Sequence, residues 1–379
     1  MSETLGLYVG SRADTYHGLE FCAVAAEAGV GVVVVCSGAA HRAVPRDVWL
    51  SVTGCGDVAV ETEVTAGHFR SRGVKAVVAT CFDQGSDSKV LTRLAAGLPA
   101  VAIEPAGSER GEGLRTGAPA GSDPSFVTLS DTGAHAWGGY APFAMDAFRF
   151  AVSRAQGLLR GRRVVVTAGG TREALDPVRF ITNRSSGLMG HALAQAARDQ
   201  GADVTLISSA GGMPVPCGVS RAAFDDVASL REEVISATSG ADVLIMAAAV
   251  SDYRPASVFA GKIKKSPNGL SLELKAIPNF IPEVPPGVLR VGFAAETDPD
   301  LGKAAGKLAS RGFDMLCLND VSRADTGFEV DTNALVILDQ TGVRAETPLL
   351  PKTEIAGIVM EHTAELLAQR AASQGEPGS

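Results

Sequence analysis

Residues 162–190, RRVVVTAGGTREALDPVRFITNRSSGLMG, carry the reading of the fold. Val164, Val165 and Val166 form a β-branched run that predicts a buried strand, and Gly169-Gly170 ends it. Ser185-Ser186-Gly187 then leads into Met189, Leu193 and Ala197, which recur at helical spacing. A helix start exposes unpaired N–H groups and the positive end of its dipole, and small residues there let a phosphate approach. Arg172, Arg179, Asn183 and Arg184 lie between strand and helix as donors suited to phosphate or carboxylate. The stretch reads as a nucleotide site, although a Gly-rich strand-to-helix turn that binds nothing has the same pattern.

Outward from this stretch, 379 residues suggest two or three domains, at about 150 residues each. Hydrophobic residues make up 46% of the chain and charged ones 20%, enough for a sizeable core. A net charge of −8 with no basic stripe argues against nucleic-acid binding. No apolar run reaches membrane-spanning length and MSETLGLYVG lacks a signal-type core, so a cytoplasmic protein without a membrane partner is expected. Cys22, Cys36, Cys55, Cys81, Cys217 and Cys317 lack metal-ligand spacing and read as buried free thiols of a reducing compartment.

Before the central stretch, Leu5–Val9, GVGVVVVC ending at Cys36, Ala76–Thr80 and Ala100–Ile103 alternate with helical spacing through Leu19, Phe21, Cys22, Val24 and Ala25. That alternation predicts a parallel sheet with ligands at its strand C-terminal ends. Ala106–Pro124 is rich in Gly, Pro and Ser and reads as a connection, and Phe143–Leu159 as a helix leading into the next domain. His135 and Trp137 read as packing residues. The expected fold class is α/β, two Rossmann- or flavodoxin-like domains with mostly parallel sheets. The expected boundaries are 1–106, a linker and helix at 107–159, a second domain at 160–370 and a frayed tail at 371–379.

After the central stretch, residues 242–252 (DVLIMAAAVSD) read as a buried strand ending in an acid, where Asp252 could hold a divalent cation or simply cap a helix. Lys262-Ile263-Lys264-Lys265 alternates, which would put Lys262 and Lys264 on one face of a strand; a solvated charge run is the plainer alternative. The final helix from Lys352 to about Arg370 is amphipathic.

These motifs, in this order, resemble phosphopantothenoylcysteine synthetase over about residues 159–367. The central stretch is similar to T-A-G-P-T-R-E-x-x-D-P-V-R-x-I-S-N-x-S-S-G-K-M-G, AAAVSDYRP to A-A-A-V-A-D-Y-R-P, and KIKK, VGFAAET, LNDV and GF…NAL to the family's further motifs. The resemblance implies a ligase that uses CTP and Mg²⁺ to activate a carboxylate as an acyl-cytidylate, which an amine then displaces. It implies nucleotide contacts at Gly169, Gly170, Ser185, Ser186, Gly187, Ala248, Asp252 and Phe293, with Lys262, Lys264 and Lys265 around the phosphates. It also implies catalytic roles for Asn183, Arg179 and Lys262, Mg²⁺ on Asp252, and a homodimer through this domain, with further assembly in fused members.

The first half resembles the flavin-dependent phosphopantothenoylcysteine decarboxylase, at Gly10-Ser11, Cys36–Ala40 and Gly67-His68-Phe69. That resemblance implies an FMN site, but residues 81–89 and Pro105-Ala106-Gly107-Ser108 depart from the family's motifs, so a degenerate domain without decarboxylase activity is expected. In the ligase half, Gly170 replaces a proline, Leu188 a lysine and Asn279 an acid. These departures favour a paralogue acting on an altered acid or amine in a specialised pathway. The alternatives are an ordinary phosphopantothenate–cysteine ligase of coenzyme A synthesis, and a non-catalytic or flavin-binding paralogue.

Overall fold

The structure is a computed structural model. It describes residues 4–9, 15–27, 30–36, 44, 57–60, 74, 76–80, 100–104, 126–130, 146, 147, 149, 150, 153 and 157–375, the last span without 210, 212, 267, 268, 298, 299, 323 and 324. The chain divides into two compact units, Met1–Arg160 with Gly212–Gly218, and Gly161–Gly211 with Val219–Ser379.

In the first unit, β1 (Thr4–Val9), β2 (Gly31–Cys36), β3 (Asp57–Val60), β4 (Ala76–Thr80), β5 (Ala100–Glu104) and β6 (Phe126–Ser130) form one sheet in the order β3-β2-β1-β4-β5-β6. Every pairing is parallel. The helix α1 (Thr15–Glu27) buries Phe21, Cys22 and Ala25, and Val32–Cys36 is buried throughout, as a strand covered on both faces must be. Strand β6 corrects the expectation of a linker at 107–159. Its five residues, FVTLS, are too short a signal between Gly- and Pro-rich flanks, yet they pair with β5 in the sheet. Backbone at 146, 147, 149, 150 and 153 is helical, inside the expected connecting helix. The positions compared with the flavin-dependent family, Gly10, Ser11, 37–40, Gly67–Phe69, 81–89 and 105–108, lie outside the described residues, as do His135 and Trp137.

The second unit starts with β7 (Arg163–Ala168), the valine run, and continues with two short strands β8 (Arg172–Ala174) and β9 (Phe180–Thr182), paired antiparallel. Helix α2 (Leu188–Asp199), β10 (Asp203–Ser208), β11 (Ser220–Ala223), α3 (Val227–Thr238) and β12 (Val243–Met246) follow. Strands β13 (Tyr253–Pro255) and β14 (Leu274–Ala276) form a second antiparallel pair. Then come β15 (Leu289–Glu296), α4 (Leu301–Arg311), β16 (Met315–Asp320), β17 (Thr332–Asn333), β18 (Leu335–Asp339), β19 (Gly342–Glu346), β20 (Leu350–Pro351) and α5 (Lys352–Gly375).

The main sheet runs β11-β10-β7-β12-β15-β16-β18-β19, parallel as far as β16 and antiparallel beyond it. Numbering only the parallel strands in chain order gives 3-2-1-4-5-6 in both units, the doubly wound Rossmann arrangement. Alternation along each strand divides the second unit's core in two. Val165, Ile207, Leu244 and Leu316 pack with Leu230 and Val234 of α3 and Leu308 of α4. Val166, Leu206, Ile245 and Cys317 point to the other face, where α2 and α5 pack. Among the described residues no helix is long and apolar enough to cross a membrane. Cys22, Cys36, Cys217 and Cys317 are buried and form no disulfide; burial pushes the Cys36 thiol up to about 12 and raises Cys317 too, so those two sulfurs are poor nucleophiles. Cys55 and Cys81 lie outside the described residues.

Candidate active site

In a doubly wound sheet the strand order reverses beside the first strand, and the loops leaving the two strands there diverge to leave a crevice. In the second unit those strands are β7 and β12. Their loops are stitched together at the base. The Ala249 N–H donates to Gly169 O at 2.8 Å, the Thr171 N–H donates to Ala249 O at 3.2 Å, and the Ala248 N–H donates to Thr167 Oγ1 at 3.1 Å. Asn183 Nδ2 donates to the same Ala249 carbonyl at 3.0 Å, which fixes the loop that follows β9. Gly169 has φ +90, a conformation that suits glycine, and Gly170 is buried against Asn183. Both glycines are spent on this stitching and neither lines the crevice.

Above the stitching lies a cleft of about 540 Å³. Asn183, Ser185, Ser186, Gly187, Ala248, Asp252 and Phe293 all line it. Helix α2 points its start into this space. Its N-cap is Gly187 at φ +84, which has no side chain to offer; the Leu188 N–H reaches Ser186 Oγ at 3.5 Å, and the Met189 and Gly190 N–H groups that follow face the cleft. The Ser186 hydroxyl donates to Phe328 O, tying the helix start to the segment that follows β16. Across the cleft, Asp252 is 70% exposed and its carboxylate meets Arg311 Nη2 of α4 at 3.3 Å. Phe293 supplies an aromatic wall from β15.

Arg179, Lys262, Lys264 and Lys265 are not brought into the cleft wall. The lysine segment is not a strand, which corrects the expectation drawn from its alternation. No neighbouring strand pairs with it; side chains satisfy its backbone instead. The buried Asp176 carboxylate accepts the Ile263 N–H at 3.0 Å, while Arg179 Nη2 donates to Ile263 O at 2.7 Å. Asp176 also receives the Val178 and Arg179 N–H groups and the Arg179 guanidinium. Arg179 thus clamps the segment, leaving Lys262, Lys264 and Lys265 exposed around a half-buried Ile263.

The Ile263 N–H, with its other donors, holds the Asp176 carboxyl well below the usual carboxylate range. A lowered folded value means that the clamp's stabilisation is complete above the unfolded value of about 4 and fades as pH falls below it. Asp176→Asn should therefore lower stability at neutral pH and flatten the acid limb of the stability profile. It should also make trypsin cut at Lys262–Lys265 faster than in wild type. Unchanged cleavage would mean that the clamp does not hold the segment.

Among the described residues no three metal-ligating side chains gather, and Asp252 is the one carboxylate of the cleft lining. That donor set suits Mg²⁺ arriving on a nucleotide's phosphates, since this ion commonly takes one or two carboxylates plus phosphate oxygens.

Several cleft residues escaped sequence reasoning. Arg311 reaches Asp252 across 59 positions, and nothing in its own helix announces that pairing. Lys307, Ser310 and Phe313 join it on the same wall. Lys352, read as the first residue of a packing helix, borders the cleft with its ammonium buried. The GF…NAL motif just upstream was the available hint.

Residues 159–367 match the family described as DNA/pantothenate metabolism flavoprotein C-terminal domain. The chain is 40% identical over 215 residues to the coenzyme A biosynthesis bifunctional protein CoaBC of Bacillus subtilis, covering 56% of this chain and 53% of that one. It is 43% identical over 211 residues to the protein of the same name from Vibrio cholerae, covering 54% and 52%. The chain thus spans about half the length of the curated relatives it matches. A solved C-terminal domain of a CoaBC protein is 33% identical, with a TM-score of 0.48, covering 56% of this chain and all of that one.

Proposed function

The chain belongs to the DNA/pantothenate metabolism flavoprotein C-terminal domain family, and on that basis we propose that its second unit is a CTP-dependent phosphopantothenate–cysteine ligase working in the cytoplasm. The observation that carries the reading is the convergence of Asn183, Ser185–Gly187, Asp252 and Phe293 on one cleft at the sheet's switch point. The substrate carboxylate attacks the α-phosphorus of CTP and pyrophosphate leaves. The cysteine amine then attacks the acyl carbon of the cytidylate, loses a proton, and CMP leaves with the amide formed. Unpaired N–H groups at the start of α2 would hold phosphate, and the Asn183 amide would steady charge on the acyl oxygen. Mg²⁺ held by Asp252 would screen the phosphates. Lys262, presented by the Asp176–Arg179 clamp, would neutralise the departing pyrophosphate.

The departures that favoured an altered substrate weaken in this setting. Gly170 sits in the buried stitching, so a glycine for proline there leaves the cleft wall unchanged. Asn279 Oδ1 accepts the Ile281 N–H at 3.1 Å, a capping role open to either an amide or an acid. Leu188 alone of the three removes a charge from the lining without a visible substitute role. Identity of about 40% to coenzyme A biosynthesis proteins over this half supports the conventional substrates further. Exposed Val178, Phe180, Tyr253, Phe259 and Leu274 on and beside the two small strand pairs support assembly as a homodimer, which a monomeric mass in sedimentation would remove.

Incubation with 4′-phosphopantothenate, CTP, Mg²⁺ and cysteine should yield phosphopantothenoylcysteine by mass. Product with another amino acid but none with cysteine would overturn the assignment of the amine.

A further inference from the structure

Lys352 opens α5 and is buried, at 5% exposure. Its Nζ donates to Gly327 O at 2.9 Å and to Val330 O. An ammonium has three N–H donors, and carbonyls occupy two of them here. Among the described residues no carboxylate forms an ion pair with it. Burial lowers its pKa, while Asp331 offsets this in part. A buried cation without a carboxylate in direct contact is costly, and an anion that reaches it would offset that cost.

Two features of its surroundings say what that anion is. Lys352 borders the cleft, and the loop it holds also carries Phe328, whose carbonyl receives the Ser186 hydroxyl at the start of α2, where the Met189 and Gly190 N–H groups line the same cleft. Unpaired backbone N–H groups and a desolvated ammonium thus border one cleft, and a phosphate group takes both kinds of donor. We propose that Lys352 gives its third N–H to a phosphate oxygen of the bound ligand, so that this buried charge forms a phosphate subsite. The subsite stands on the geometry alone; only the phosphate's owner, the nucleotide or the phosphorylated acid, rests on the ligase reading.

A purely structural Lys352 would act only as a tether for Gly327 and Val330, and Lys352→Gln separates the two roles because its amide keeps two N–H donors without the charge. Binding of CTP, of inorganic pyrophosphate and of 4′-phosphopantothenate to the full chain would be measured by calorimetry. The expected result is at least a tenfold loss for one class of probe in Lys352→Gln, with recovery in Lys352→Arg. A loss for CTP and pyrophosphate assigns the subsite to the nucleotide, and a loss for 4′-phosphopantothenate to the acid. Affinities within twofold of wild type for every probe, or no binding of any probe to wild type, would overturn the proposal. Should Lys352→Gln fail to fold, the ¹⁵Nζ ammonium signal of Lys352 in the wild-type chain serves instead. It should shift when a binding probe is added, and a fixed signal under saturation would overturn the subsite. If the probes bind and respond to Lys352→Gln but no amide forms, the ligase reading fails and the subsite remains.

Discussion

Gly190→Ala should destabilise the second unit by about 3 kcal/mol, the upper part of the range for overpacking a close contact. A Cβ built at Gly190 would sit 2.4 Å from Ala168 Cβ and 2.8 Å from both Ala168 Cα and Thr167 O. Two of these three obstacles are backbone of β7, so no side chain can swing away and the helix itself must lift from the sheet. Gly190 stands in the first turn of α2 and lines the cleft, so that movement also disturbs the phosphate-facing N–H groups. The midpoint of thermal unfolding should fall by roughly 10 °C for a unit of this size. Gly306→Ala provides the contrast. It lies inside α4 with nothing within 4 Å of the added carbon, and should stabilise by up to about 1 kcal/mol. Equal effects at the two positions would show that α2 does not rest on β7 as closely as described.

Lys262→Gln should reduce pyrophosphate release by about 100-fold or more, the scale on which removing one charge-stabilising donor acts. Lys262 is exposed, and the clamp on its segment binds the neighbouring Ile263 backbone rather than the lysine itself. Folding should therefore be unaffected, with an unfolding midpoint matching wild type. A loss of activity that tracks a loss of stability would count against a role in the chemistry. The contrast with Asp176→Asn is informative, since that change releases the whole segment while leaving every lysine in place. If both variants lose turnover but only Lys262→Gln keeps wild-type trypsin resistance, presentation and chemistry are separate contributions.

The elements that a sequence states plainly are those whose period is strong. Val164–Val166, Val32–Val35 and the apolar run before Met246 are buried strands because β-branched residues without polar interruption have no other stable placement in an α/β core. The helix entry at Ser185–Gly187 was legible for a similar reason, as small residues followed by apolar residues at helical spacing. Five-residue β6 and the three-residue strands β8 and β9 were not, because so few residues carry no period and their identity is fixed by partners elsewhere. Lys262–Lys265 shows the opposite failure. Its alternation was real, with Ile263 half-buried between exposed lysines, but a carboxylate and a guanidinium, not a neighbouring strand, satisfy its backbone. Long-range pairings such as Asp252 with Arg311, and the buried position of Lys352, arise from the sheet order and leave no local trace. The site residues of the cleft were reached through their resemblance to a family's motifs; the geometry adds which of them face one another.

The most direct test is pyrophosphate release by the full chain with 4′-phosphopantothenate and Mg²⁺, cysteine withheld, comparing CTP with ATP, GTP and UTP. Release should require the acid, be strongest with CTP and be lost in Lys262→Gln. No acid-dependent release with any of the four nucleotides would contradict the ligase reading.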